Sequence, residues 1–509
     1  MQALISVYDK TGLDKISKVL NSLNYEIFST GGTLKYIKSL GINAISISEL
    51  TNFKEILGGR VKTLHPNIHA GILADLNNPD HLEDLREYNI APFDIVINNL
   101  YPFEEVLSKS VWKENSKSKD EEIIENIDIG GPSMIRAAAK NFTRVSVLID
   151  PDDYDWFSEK LISKKLSVND RKKLASKAFD RTYNYDKRIS AYLKERSKDS
   201  MTSSLNLSLD KITNLRYGEN PHQRSAIYSN DHSGVANAKL LHGKEMSYLN
   251  FLDADAAFTA ANSFTTHCAS IVKHTNTCGL SVQDNQLDAY NFALRGDPVS
   301  AFGGIIGFNS EIESSTAMEI SKTFYDVIIA PSFSKEAFEI LSKKKNIRLL
   351  SADFLIENYE YRTINGGLLF QEKDNQIEKV QDWEFVTKNK PDKNTFDDLL
   401  FAWNTTKFIK SNAIVITEGK SILGMGSGQP NRINSVNLAL SRAKEFLSDN
   451  SILASDAFFP FPDSIDIAAE NNIKTILQPG GSLKDDEVIK RANTYQIKMI
   501  FTNRRHFSH

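Results

Sequence analysis

The sequence predicts an α/β protein: a doubly wound parallel sheet at the N-terminus, followed by two further α/β units. Three observations predict it. Short apolar runs alternate with stretches whose apolar residues recur at helical spacing, as when residues 3–7 (ALISV) precede Leu13, Ile16, Leu20 and Leu23. Gly-rich turns fall where strands hand over to helices, at Thr30–Thr33 and again at Gln478–Ser482. A chain of 509 residues also exceeds what one core can serve.

The first third justifies the parallel sheet. After the strand at 3–7 and its helix, a second strand, Tyr25–Ser29, runs into Thr30, Gly31, Gly32 and Thr33. A helix with Leu34, Ile37 and Leu40 stops at Gly41, and Ala44–Ile47 is a third strand. Strand and helix alternating at this pace require a parallel arrangement. Asp94–Asn98 is the next strand; Lys113–Lys119 reads as solvated loop; Glu121–Asn126 starts a helix that Gly130-Gly131-Pro132 breaks. A further helix leads to the strand Arg144–Ile149. Residues 151–200 are helical and charged, and the Ser-rich stretch 197–208 separates domains.

The second half repeats the alternation. An Ala-rich helix follows Met246–Asp253, and the apolar segment Ala269–Val272 ends at Lys273 and His274. Gly296–Gly304 is a small-residue loop before the strand Ile305–Phe308, and Asp326 leads the strand ending at Ala330. Beyond residue 395, Asn412–Thr417 and Ser421–Gly426 form a hairpin through Glu418-Gly419-Lys420. Helices and strands then alternate to Lys498–Thr502 and the tail Asn503–His509. The domains expected are 1–196 (core to about 150 plus a helical extension), a linker at 197–211, and 212–509, itself divided into 212–390 and 391–509.

Composition excludes several classes. With 41% hydrophobic and 25% charged residues, disorder and collagen-like repeats are set aside. No apolar run approaches the roughly 18–20 residues of a membrane span. The opening MQALISVYDKTG lacks a basic segment and a long apolar run, so a cytoplasmic protein without membrane contact is expected. Cys268 and Cys278, the only 2 cysteines, cannot build a disulfide framework or a Cys-rich zinc site. A net charge of −4 argues against nucleic acid as partner, so cations for anionic ligands must be gathered locally.

Candidate cations and seats fall at element ends. Thr30-Gly-Gly-Thr33 offers amides, a positive helix end and two hydroxyls, a natural phosphate seat. It matches neither the dinucleotide fingerprint nor a P-loop. Arg60 and Lys62, one residue apart, and Lys10 can supply charge; Tyr101, Asp128 and Lys140 lie near element ends. In the second half Arg216 is a candidate phosphate clamp. Lys273 beside His274 suits acyl or formyl transfer, one polarising an oxygen and the other moving a proton. The plain alternative is a surface pair at a strand end.

SVYDKTGL, STGGT, LGGRVKTLHP, NNLYPF, NIDIGGPSMIRAAAKN and LRYGENPHQ together resemble the bifunctional purine-biosynthesis family, which joins an IMP cyclohydrolase domain to an AICAR transformylase domain. The similarity runs the length of the chain. It implies a methylglyoxal-synthase-like first domain followed by two cytidine-deaminase-like units. It implies formyl transfer from 10-formyltetrahydrofolate to AICAR, a co-substrate role for the folate, and dehydrative ring closure of the formylated product to IMP, with no catalytic metal. It also implies a homodimer.

Carried residue by residue, the resemblance assigns the cyclohydrolase nucleotide to Tyr8, Asp9, Lys10, Thr30, Gly31, Gly32, Thr33, Arg60, Val61, Lys62, Thr63, Asn98, Asn99, Asp128 and Ile129. Lys140 is then the ring-closing lysine, with Tyr101 and Asp128 beside it. His274 becomes the proton-transfer residue, Lys273 its partner at the formyl oxygen, and Asn412 an orienting group. AICAR contacts are implied for Arg216, Tyr217, His274, Gly303, Asp326, Asn412 and Arg505. Folate contacts are implied for Arg432, Ile433, Phe458, Asp463, Gly480 and Gly481. Two positions depart from the family pattern: Tyr8 replaces a small Ser, and Thr277 replaces a Pro.

A zinc deaminase is the rival that such units raise. It needs a P-C-x-x-C element, which is absent, and His81-Leu82-Glu83 lies in the other domain. A regulatory nucleotide-binding protein that has lost turnover is the rival from another class. The presence of Lys140, Lys273, His274 and Asn412 argues against it.

Overall fold

Apolar strands separated by amphipathic helices assemble into two compact units, Met1–Leu205 and Asn206–His509. The computed structural model describes residues 1–57, 60–101, 103, 121, 123–194, 205, 207, 209–229 and 233–509. Gly58 and Gly59, the run Lys113–Lys119 and most of the Ser-rich stretch 197–208 lie outside the described residues. Among the described residues no helix is long and apolar enough to cross a membrane.

In the first unit β1 (Gln2–Val7), β2 (Glu26–Ser29), β3 (Ile45–Ser46), β4 (Ile95–Asn99) and β5 (Ser146–Leu148) pair in parallel, in the order β3-β2-β1-β4-β5. Ala3, Leu4, Ile5, Val96, Ile97 and Val147 are fully buried, as strands covered on both faces require. Helices α1 (Leu13–Ser22), α2 (Gly31–Ser39), α3 (Ile47–Thr51), α4 (Pro66–Leu73), α5 (Pro79–Glu87) and α6 (Gly130–Lys140) accompany the sheet. α1 buries Leu13, Ile16 and Leu20, three of the four residues whose spacing predicts it.

Two details differ from the sequence reading. The third strand shortens to two residues because Ile47 opens α3, which the Ser46 hydroxyl caps at the Ser48 amide. The break expected after the helix begun at Glu121 falls at 126–129, and Gly130-Gly131-Pro132 themselves open α6; in the first turn the proline sacrifices no helical hydrogen bond. The helices α7 (Tyr154–Ile162) and α8 (Val168–Lys194) follow, and Lys177 of α8 reaches Asp150 at 3.1 Å and Asp153 at 2.8 Å.

The second unit opens with a ribbon, β6 (Asp210–Leu215) and β7 (Ser225–Ser229). Then come β8 (Lys239–His242), α9 (Tyr248–Asn262), β9 (Cys268–Lys273), β10 (Asn276–Val282), α10 (Gln286–Gly296), α11 (Pro298–Ala301), β11 (Ile305–Phe308), α12 (Ser314–Ile320), β12 (Val327–Ala330), α13 (Lys335–Leu341) and β13 (Arg348–Ser351). A second ribbon, β14 (Tyr359–Ile364) and β15 (Gly367–Glu372), precedes β16 (Glu384–Phe385). The chain continues through α14 (Phe396–Thr405), β17 (Ile414–Glu418), β18 (Ser421–Gly426), α15 (Arg432–Ala443), β19 (Ile452–Ser455), α16 (Asp463–Glu470), β20 (Thr475–Gln478), α17 (Asp485–Thr494) and β21 (Lys498–Phe501).

The succession helix, hairpin, helix and three parallel strands thus occurs twice. In the first copy the strand order is β10-β9-β11-β12-β13, and in the second β18-β17-β19-β20-β21. β10 pairs antiparallel with β18, where the hydroxyls of Ser281 and Ser421 meet at 2.7 Å, so the copies share one sheet. Helix-on-hairpin packing repeats too. A methyl group at Gly279 would lie 2.1 Å from the Ala293 carbonyl oxygen on α10, and one at Gly426 2.0 Å from that of Ser435 on α15. The expected strand Ala269–Val272 is therefore the first arm of a hairpin, and Lys273-His274 sits at its turn.

Candidate active sites

In the first unit the strand order reverses between β1 and β4, and open α/β sheets bind ligands at the carboxyl ends flanking such a reversal. Asn99, at the end of β4, ties the two ends together. Its carbonyl oxygen accepts from the amides of Tyr8 (2.6 Å) and Asp9 (3.1 Å), and its amide donates to the Asp9 carbonyl (2.8 Å). The exposed Tyr8 ring lies 5.4 Å from that of Tyr101, centroid to centroid. Lys10 folds back on the Tyr8 carbonyl, and the Asp9 carboxyl is held below its usual range by the Thr11 hydroxyl and amide.

The Thr30–Thr33 turn differs from its expected chemistry in part. Thr33 spends its hydroxyl on the backbone of Val7, accepting at 3.1 Å and donating at 2.9 Å, and Thr30 pairs with Ser6. What remains toward a ligand is the Gly31–Gly32 backbone at the start of α2, with the Lys62 ammonium 3.9 Å from where a Gly31 side chain would begin. Lys62 also faces Asp128, whose carboxyl burial pushes up against the opposing pull of the Gly131 and Tyr101 amides and of Lys62 itself. Asp128 caps α6 through the Gly131 amide at 2.8 Å, and the Thr63 hydroxyl packs against Gly130. Asn98 is buried on β4, Ile129 is exposed, and Val61 bridges back to Ile56.

Arg60 pairs with Glu125, three residues before Asp128. One expected member is not brought in. Lys140 ends α6 while Asp128 precedes its start; an α-helix rises about 1.5 Å per residue, so roughly 15 Å of axis separates the two ends. A helix crossing between parallel strands runs from the carboxyl edge of the sheet to the opposite edge, and Lys140 is exposed there, away from Tyr101 and Asp128.

In the second unit a cavity of about 270 Å³ is lined by Lys273, His274, Arg216, Tyr217, Gly303 and Asp326, all six expected from the sequence. Lys273 donates to the carbonyls of Gly303 (2.7 Å) and Phe302 (3.2 Å), so its ammonium is aimed across the loop before β11. His274 is exposed at the hairpin turn. Arg216 stacks on the Tyr217 ring and donates to its hydroxyl at 2.8 Å. Arg348, Asn250 and Asp253 also line this cavity, beyond the residues expected from the sequence. Arg348 enters only because β13 lies beside β12; the polar series Ser247, Asn250, Asp253 at the head of α9 was a visible signal, since one such face points one way.

A second cavity of about 740 Å³ is walled by Pro430, Phe458, Pro460, Pro479, Gly480 and Gly481 together with Asn412, Arg432 and Arg505. The expected AICAR set is therefore divided: Asn412 and Arg505 line this cavity, and the others line the first. Arg432 is buried and occupied, pairing with Asp456 and donating to Ser455 (2.9 Å) and to the Asn412 carbonyl oxygen (2.7 Å). Asn412 donates in turn to the Gln429 carbonyl at 2.8 Å. Ile433 and Asp463 open α15 and α16 beside this cavity without lining it, and Asp463 accepts from the Ser464 amide. Thr277 is buried in β10, opposite Val272.

An amide-and-lysine seat at a sheet edge in one unit, and a cation-lined cavity at a hairpin turn in the other, make this an α/β protein with a candidate site in each unit whose cations suit anionic small molecules. Residues 138–442 match the model of the AICARFT/IMPCHase bienzyme, and residues 12–133 match that of the MGS-like domain. Proteins described as bifunctional purine biosynthesis protein PurH are similar over the whole chain. That of Caldicellulosiruptor saccharolyticus is 46% identical (100% of this chain, 99% of the relative), and that of Aquifex aeolicus 47% (100% of both). The Dictyostelium discoideum protein is 44% identical, again over 100% of both. The chain belongs to the AICARFT/IMPCHase bienzyme family.

Proposed function

We propose that the chain is the bifunctional enzyme of its family. The second unit transfers a formyl group from 10-formyltetrahydrofolate to AICAR, and the first closes the formylated product to IMP with loss of water. The observation that carries this is Lys273 and His274 together over a cavity that also holds Arg216 and Arg348. The nucleotide phosphate takes one of these guanidiniums, whose planar fork suits two phosphate oxygens. His274, in its neutral form, removes the proton from the attacking amine. The Lys273 ammonium stabilises the tetrahedral oxygen, an interaction worth about 3–4 kcal/mol. The apolar walls of the larger cavity suit the flat ring system of the folate, the formyl donor.

Ring closure is intramolecular, and holding amide against formyl group removes roughly 7–11 kcal/mol of barrier. Lys62 and Asp128 are the charged pair at that site, so Lys62 takes the role that the family resemblance gives Lys140. Domain limits of 1–196 and 212–509 joined by 197–211, a cytoplasmic location and a mechanism without metal complete the proposal. A homodimer belongs to it as well, and the division of the AICAR set between two cavities supports one.

A steady-state assay with AICAR and 10-formyltetrahydrofolate tests the whole: IMP is expected, and none at saturating substrates refutes it. Supplying formylated AICAR isolates the second step. Lys62→Ala is expected to slow ring closure about 100-fold or more, the scale of one lost charge-stabilising donor. Lys140→Ala is expected to slow it far less; the reverse order restores Lys140.

A further inference from the structure

The repeated hairpins close through two-residue turns of one backbone shape. His274 and Thr275 have φ of 53° and 59°; Gly419 and Lys420, the matching pair in the second copy, have 55° and 54°. Turns left-handed at both positions fit the twist of a hairpin, and they favour glycine because a side chain crowds the backbone there. The second copy has glycine at one position. The first has none.

What holds the first turn is visible. The Asp253 carboxylate, from α9, accepts from the His274 amide at 3.1 Å and the Thr275 amide at 2.7 Å, one oxygen for each. Those two amides point outward together from the turn, and the carboxylate that bridges them ties both to α9. On the carbonyl side Asn276 donates to the His274 oxygen at 3.0 Å, and Ser427, just beyond β18, donates to Asn276 at 2.5 Å. In the second copy Asp398 of α14 faces the single Lys420 amide. α9 itself is fixed at its head by a capping box between Ser247 and Asn250, so Asp253 stands on a rigid support one turn on.

We infer that Asp253 is a positioning residue for formyl transfer: by bridging both turn amides it holds His274 and Thr275 left-handed, which keeps the imidazole over the cavity while Lys273 stays turned to Gly303. The inference rests on the reading above that His274 moves the proton. No hydrogen bond to the His274 ring occurs among the described residues, so its backbone is what aims it. A histidine oriented through its own main chain keeps both ring nitrogens available for the reaction.

The test uses the full chain, with ring closure of formylated AICAR measured in each preparation as the sign of an intact fold. Asp253→Asn, which keeps one acceptor oxygen, is expected to lower kcat for formyl transfer about tenfold, with KM for AICAR changed less than about threefold. Asp253→Ala is expected to lower kcat further. Adding Thr275→Gly to Asp253→Asn is expected to recover several-fold in kcat, since glycine accepts the left-handed conformation without help. A purely structural carboxylate would not give that recovery in kcat at constant KM. Unchanged kcat in both single variants, a rise confined to KM, or no recovery with glycine each overturns the inference. If instead His274→Ala transfers formyl normally, the reading beneath it fails, whatever Asp253 does.

Discussion

The two hairpins of the second unit share a backbone and differ in what they carry. At Gly419-Lys420 glycine removes the strain at one of the two positions, and outside support is lighter: Asp398 at the Lys420 amide and Gln283 at the Gly419 carbonyl, 2.9 Å away. At His274-Thr275 neither position is glycine, and the strain is offset from outside, by Asp253 on α9 and by Asn276 with Ser427 from the other copy. On the proposed role of His274, a turn that must present a reacting imidazole cannot choose its residues for comfort. The same fold segment, duplicated, thus separates what a hairpin needs from what a reaction needs.

The comparison can be broken at several points. Lys273→Ala is expected to cost formyl transfer about 10²–10³-fold, the loss of an oxyanion donor, whereas Lys420→Ala at the second turn leaves transfer unchanged. Equal losses, read by steady-state rates, would erase the distinction between the hairpins. Ser427→Ala removes the support of Asn276 and is expected to slow transfer by less, about threefold to tenfold, as the loss of one neutral hydrogen bond allows. Lys420→Gly is expected to stabilise the protein by about 0.5–1 kcal/mol in denaturant titration, the relief of a left-handed side chain less the added freedom of the unfolded chain.

The smallest expected effect concerns Asp398. Burial raises its carboxyl above the ordinary range, against the opposing charge and amide of Lys420. Folding therefore disfavours its ionised form. The stability at this group is full below the ordinary aspartate value, about pH 3.9, and is lost as pH rises through the raised value. Asp398→Asn is expected to be more stable than the parent at pH 7 and equal to it below about pH 4. A variant less stable at pH 7 would mean that the ionised carboxylate holds the turn.

Much of this was legible because it is local. Apolar runs and helical spacing mark the parallel sheet, and the small residues of Thr30–Thr33 and Gly480–Gly481 mark turns at the candidate sites. Lys273-His274 stands out as charge at the end of an apolar run. What escaped is set by three-dimensional neighbours. Thr33 looks like a phosphate ligand until β1 is seen beside it, taking both of its bonds. Lys140 shares a motif with Asp128, yet a helix carries it to the far edge of the sheet. Arg432 looks like a free cation and is neutralised by Asp456 from β19's end. Asp253 acts on residues about twenty positions away through two backbone amides, which no pattern of side chains announces.

The most direct measurement is of both activities in one preparation of His274→Ala. Formyl transfer is expected to fall about 10²–10⁴-fold, the usual worth of a positioned general base, while ring closure of supplied formylated AICAR proceeds at the parental rate. Transfer that persists at the parental rate, or ring closure that falls with it, would contradict the division of labour between the two units and the role of the hairpin turn.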